Sequence, residues 1–149
     1  MTNAAFGTSA LDSITLKETK ASDGPTAVSA SITAVSFPNE GIWASSFDVE
    51  LIERIGDFLA EDARLNGVDT IYAPGVNIHR TPFGGRAHEY FSEDPLLTAY
   101  AAMAEVKGMQ KKGVIPVLKH YAFNDEESAR NGIGIWLSLI HISEPTRPI

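Results

Sequence analysis

The 149-residue chain has no cysteine, so neither a disulfide framework nor a thiol nucleophile is available to it. That absence leaves the compartment open, because many secreted proteins also lack cysteine. No apolar run is long enough to span a membrane, and no internal repeat or low-complexity segment appears. Basic residues are scarce: 12 Lys and Arg against 19 Asp and Glu give a net charge of −7. This argues against a nucleic-acid partner, since phosphate binding needs a basic face, and leaves neutral ligands open. Residues 1–20 lack a basic start followed by an apolar core, so no signal peptide is visible and a cytoplasmic location is favoured. A start further upstream would remove that ground. What remains, 44% hydrophobic residues and a mean hydropathy of −0.05, describes an ordinary globular chain of one-domain length.

Polar chemistry is concentrated in residues 73–95, APGVNIHRTPFGGRAHEYFSEDP. Asn77, His79, Arg80, Arg86, His88, Glu89, Glu93 and Asp94 crowd into this one segment between an apolar run and a helix pattern. Upstream, Asp48 reads as an N-cap, followed by an apolar stripe of Leu51, Ile52, Ile55, Phe58, Leu59 and Ala63 that Gly67 closes. Residues 68–72 (VDTIY) and 114–118 (VIPVL) are short and β-branched, and read as buried strands. Between them Asp94 and Pro95 start a helix whose inner face is Leu96, Leu97, Tyr100, Ala101, Ala104 and Met109, with Lys107, Lys111 and Lys112 near its end. Strand, loop, helix, strand is a βαβ unit with parallel pairing and a right-handed crossover. Lys119 and His120 then emerge at the same end of the sheet as the polar loop. Residues 1–21 read as loop with a short helix near 9–14, and Phe37, Ile42 and Trp43 read as core. Ser22-Asp23-Gly24-Pro25 reads as a turn that presents Asp23, either as a surface Asx turn or as part of a site.

The order of residues in PGVNIHR, GGRxxEYFSEDP and KHYAFNDEE resembles the amino-terminal barrel domain of glycoside hydrolase family 3, the β-glucosidase family. The resemblance runs from about residue 22 to 136 and implies an α/β fold, here a partial, truncated (β/α)8 TIM-type barrel. It implies a retaining, exo-acting β-glycosidase, with a small carbohydrate as substrate and no cofactor. It places Asp23, Arg86, Lys119 and His120 in the substrate subsite, and Asn124 to Glu127 resemble the β-glucosidase-like branch rather than the β-N-acetylglucosaminidase branch. A sugar presents hydroxyls that both donate and accept, so a pocket of this kind needs a carboxylate acceptor, fixed cationic donors and an aromatic wall. Asp23 would accept, and Arg86, Lys119 and His120 would donate. The alternative for Arg86 is a salt bridge to Glu89, Glu93 or Asp94. Tyr90, Phe91 and Tyr121 fit core packing or sugar stacking. Ala87 and His88 depart from the Asn and Phe common in the family. Retaining hydrolysis needs two carboxyl groups about 5 to 5.5 Å apart. The resemblance puts both beyond Trp136, so no catalytic residue is assigned.

Residues 137–147, LSLIHISEPTR, resemble the translation of a sequencing-library transposase adaptor. The expectation is therefore a native segment over 1–136, a partial barrel domain missing the downstream part of its own chain, and a non-native tail over 137–149. Such a chain is expected neither to hydrolyse glycosides nor to fold robustly alone. Two other readings stand beside this one: a non-catalytic sugar-binding or scaffold module, and a metal-dependent barrel hydrolase using His79, His88 and His120.

Overall fold

The computed structural model describes residues 12–14, 17–29 and 34–136. Three short strands, β1 (Ala21–Asp23), β2 (Thr70–Tyr72) and β3 (Ile115–Pro116), pair side by side in sequence order, and both pairings are parallel. Parallel neighbours need long crossovers, and helices supply them. Between β1 and β2 lie α1 (Glu40–Ala44) and α2 (Val49–Leu65); between β2 and β3 lies α3 (Pro95–Lys111). This is α/β architecture, and no described helix is long and apolar enough to cross a membrane.

The helix boundaries follow from local chemistry. Asp48 accepts from the Leu51 amide at 2.9 Å, and Asp94 accepts from the Leu96 amide at 2.7 Å with Pro95 at the first helical position. Gly67 and Gly113 sit just past α2 and α3 at φ +67° and +75°, a conformation in which a Cβ would be strained. Lys107 and Lys112 reach across to Glu53 and Glu61 of α2 at 2.8 and 2.9 Å.

Several expectations change once the elements pack. β1 replaces the expected loop and turn, because Lys20 and Ala21 find backbone partners on the β2 side; Asp23 is the last residue of that strand. Residues 12–14 form one 3-10 turn, while 9–11 lie outside the described residues, as does the tail 137–149. α1 was not anticipated; Trp43 is buried there but Ile42 is exposed. Leu51 and Phe58 on α2, and Leu96 and Tyr100 on α3, are also exposed. The reason is the closeness of α2 and α3. A Cβ on Gly56 would lie 2.5 Å from the Glu105 carbonyl oxygen, and Gly108 backs onto Glu53 and Asp57 in the same way. Backbones this close admit glycine at the crossing, so Gly56 and Gly108 make the closest contact, while Ile52, Leu59 and Met109 stay buried beside it and the other bulky residues turn outward. Residues 114–118 are likewise only partly a buried strand. β3 pairs on one side with β2, and Ile115 and Leu118 are more than half exposed while Val114 is buried.

Two apolar clusters hold the layers together. Val28, Leu59, Val68, Ile71, Met109 and Val114 join the sheet to both long helices. Trp43, Ile52, Phe91, Ala101 and Ala104 join α1 to them, with Phe37 packed against both clusters.

Candidate functional site

Because the strands are parallel, whatever leaves their carboxyl ends arrives on one rim. β1 ends at Asp23. The chain after β2 runs through Pro74 and Gly75 into the polar loop, and the chain after β3 runs to Lys119. Gly75 and Lys119 form a parallel bridge, with Lys119 N to Pro74 O at 3.0 Å and Val76 N to Lys119 O at 2.7 Å. His120 is fixed by its backbone amide, which donates to Asn77 Oδ1 at 2.7 Å. The four expected site residues, Asp23, Arg86, Lys119 and His120, are thereby brought together.

Lys119 is the hub. Only 8% exposed, it donates to Gly24 O at 2.9 Å and Asp23 Oδ1 at 3.2 Å, and forms an ion pair with Glu89 Oε2 at 3.0 Å. Asp23 spends one oxygen on this pair while its side chain stays 68% exposed. Glu89 is buried between two cations, meeting Lys119 with one oxygen and Arg86 with the other. Arg86 also reaches Glu127 Oε2 at 3.2 Å, and that ion pair helps hold the Glu127 carboxyl below the usual range. Of the partners anticipated for Arg86, Glu89 is the one it takes; Glu93 and Asp94 are exposed.

A row of hydrogen bonds runs from Arg86 into the interior. Arg86 Nη2 lies 3.2 Å from His120 Nε2, and a guanidinium can only donate, so Nε2 accepts and the ring proton sits on Nδ1. Nδ1 lies 2.8 Å from Tyr90 Oη, which therefore accepts from the ring and donates to Asn124 O at 2.6 Å. Burial drives the Tyr90 hydroxyl up to about 12, which keeps its proton on. Burial also lowers the His120 pKa, Glu89 opposing and Arg86, Lys119 and Arg130 reinforcing, so the ring stays neutral. His120 thus spends both ring nitrogens inside the protein, and the donation expected from it toward a ligand goes to Tyr90 instead.

The pairing of Arg80 with Asp125 and the role of Phe123 beside it are not apparent from the sequence. Arg80 makes two bonds to Asp125, Nε to Oδ2 at 2.9 Å and Nη2 to Oδ1 at 2.8 Å, and its guanidinium lies 5.2 Å from the centre of the Phe123 ring. This clamps residues 121–127 against the loop after β2. Gly84 and Gly85 permit the contact, since a Cβ on either would fall within 3 Å of Asp125 or Glu127. Tyr90 and Phe91 are buried, in keeping with core packing, whereas Tyr121 is 98% exposed because the loop turns its ring outward.

The result is a cleft of about 410 Å³ between Asp23, Thr26, Arg86, His88, Glu89 and Lys119. A second one of about 530 Å³ adjoins it along Lys119, His120, Asn124, Glu126, Arg130 and Asn131. Among the described residues, no three His, Cys, Asp or Glu side chains gather as a metal-ligand set; His79 Nε2 is 2.9 Å from Ala87 O.

Fold and site together define a parallel α/β protein with an open, charged cleft at the carboxyl ends of its strands. The chain belongs to glycosyl hydrolase family 3: the model of that family's N-terminal domain matches residues 19–140. The exo-α-(1→6)-L-arabinopyranosidase of Bifidobacterium breve is 44% identical over 114 residues, 76% of this chain and 15% of the relative. The β-glucosidase of Ruminococcus albus is 40% identical over 136 residues, 89% of this chain and 14% of the relative. The structure of β-glucosidase 3B from Thermotoga neapolitana in complex with α-D-glucose superposes with a TM-score of 0.76 at 35% identity, over 81% of this chain and 18% of that one. The chain therefore spans about a seventh of the length of these two curated relatives.

Proposed function

We propose that this chain forms consecutive staves of a (β/α)8 barrel in a retaining, exo-acting β-glycosidase with β-glucosidase specificity, and that its cleft is part of the sugar subsite. One observation carries this reading: residues from all three strand ends, distant in sequence, converge so that an exposed carboxylate faces two cations held in place by buried partners. Sequential parallel strands joined by helices are the repeating unit of such a barrel, and its sites lie at the carboxyl-end rim. The family membership and the glucose-bound relative support the same reading.

In this scheme Asp23 accepts from two neighbouring sugar hydroxyls. Lys119 and Arg86 donate to the same ring, Lys119 exchanging its contact with Asp23 for one with substrate. His120 acts through Arg86, holding the guanidinium plane from behind. The nucleophile and the acid/base are assigned to parts of the protein outside residues 1–136, so this chain binds and orients while the remainder breaks the bond. A sugar lacking one of the contacted hydroxyls would leave buried groups unpaired, which is how such a site discriminates.

The test uses the longer protein that contains this chain. Asp23→Ala or Lys119→Ala should each lower kcat/KM on aryl β-glucosides by about tenfold or more, since a charged hydrogen bond is worth roughly 1.5 to 3 kcal/mol. Wild-type kcat/KM in both variants would refute the assignment. Glucose binding without hydrolysis by the longer protein would point instead to a non-catalytic sugar-binding module.

A further inference from the structure

Behind the cleft lie two carboxyl groups that the sugar reading does not use. Glu40 of α1 and Glu105 of α3 are both fully buried. Glu40 accepts the Gly75 amide with both oxygens, at 3.0 and 3.2 Å. Among the described residues neither oxygen of Glu105 meets an N–H or hydroxyl donor, and the neighbouring group that its carboxyl interacts with is the Glu40 carboxyl. Two carboxyl groups can bond to each other only if one carries a proton.

The surroundings agree. From the end of β3 comes Lys119, the cation whose charge reaches both carboxyls. From the other side come the Glu89 carbonyl and the Tyr90 ring, which would meet any Cβ on Gly75. On the α2 side, Gly56 packs against the Glu105 backbone. One positive charge, already shared with Glu89 and Asp23, does not neutralise two further buried anions.

We infer that Glu40 and Glu105 share a single proton, and that the singly protonated pair is a positioning element gripping the Gly75 amide and with it the Gly75–Lys119 rung. The rung aligns the Lys119 backbone, and hence its ammonium, with the cleft. Loss of the shared proton would place two anions side by side, push them apart and release Gly75. Burial is the main cause raising both carboxyls, Glu40 well above the ordinary range and Glu105 to about 8, and the titration belongs to the pair rather than to either residue. The inference stands whether or not the cleft takes a sugar.

Carbon-13 NMR of the folded protein carrying labelled glutamate tests it without any substitution. One glutamate carboxyl should titrate near pH 8, and its signal should disappear in both Glu40→Gln and Glu105→Gln. Hydrogen exchange at the Gly75 amide, referenced to a buried α2 amide, should accelerate as the pH passes that value. In Glu105→Gln the new amide can donate to Glu40 permanently, so Gly75 protection should lose this pH dependence. If every glutamate carboxyl titrates in the ordinary range, or if Glu105→Gln keeps the wild-type pH dependence, the shared proton is refuted. Should the variants fail to fold, the wild-type titration decides alone.

Discussion

Glu89 and Glu105 are both buried carboxyl groups close to Lys119, yet their surroundings differ. Glu89 faces the cleft and places one oxygen on Arg86 and the other on Lys119. Glu105 faces the helices and meets another carboxyl. Burial alone penalises charge in both places, so the partners make the difference. On the cleft side the protein sets a cation against each oxygen of the carboxyl group. On the helix side it supplies one N–H, from Gly75 to Glu40, and keeps a proton.

Lys119 serves both sides, so removing its charge is the most damaging way to break the comparison. Lys119→Met should cost about 3 to 5 kcal/mol of unfolding free energy, the usual penalty for stranding a buried partner. Denaturant unfolding measures it; a loss below about 1 kcal/mol would mean that the Lys119 network is not what holds the rim together. Glu89→Gln and Glu105→Gln should then separate. The first strips Arg86 and Lys119 of a charged acceptor and should cost about 2 to 3 kcal/mol, whereas the second exchanges one neutral donor for another and should cost about 1 kcal/mol or less at pH 6. Equal losses would show that the two sites are alike after all.

The pH dependence sharpens the contrast. The pair's folded pKa is raised, so its stabilisation is complete below the unfolded value near 4.5 and is lost as pH rises through about 8. Glu53, Glu126 and Glu127 are lowered by their lysine, amide and arginine partners, and His120 is lowered by burial; these groups lose stabilisation as pH falls, on the acid side of neutrality. Between pH 7 and 8, stability should therefore fall by up to about 1.4 kcal/mol per pH unit and level off above about 8, and Glu105→Gln should flatten that slope. The smallest effect is expected at Arg80. Arg80→Lys keeps the charge but loses the two-point grip on Asp125 and the contact over Phe123, costing about 1 kcal/mol; faster protease cleavage within residues 121–127 would report it.

The N-capped helices and the handover from strands to polar motifs were legible in the sequence, because capping and turn chemistry are local. Asp48, Asp94 and Gly67 each act through their immediate neighbours. The faces of α2 and α3 were not legible: periodicity marks apolar residues, while the contact is made through Gly56 and Gly108, whose significance appears only when a second backbone comes close. Residues 21–23 carry too little pattern to announce a strand; β2 makes them one. In the site, Asp23, Arg86, Lys119 and His120 were legible through motif order, but Tyr90 was read as packing and Glu105 was passed over. A signal existed for Glu105, since it stands four residues after Ala101 on the buried stripe of α3. A glutamate at such a position requires a partner.

The row Arg86, His120, Tyr90, Asn124 has a further property. Its first member cannot accept and its last, a backbone carbonyl, cannot donate, so the protons between them have one arrangement and no mirror image. A ring of hydroxyls could reverse when a charge changes nearby and would spend energy doing so. Here the oriented bonds act as a permanent dipole behind the cleft, set when the chain folds. Charge that builds or fades at the rim meets a field that is already aligned and has little left to reorganise.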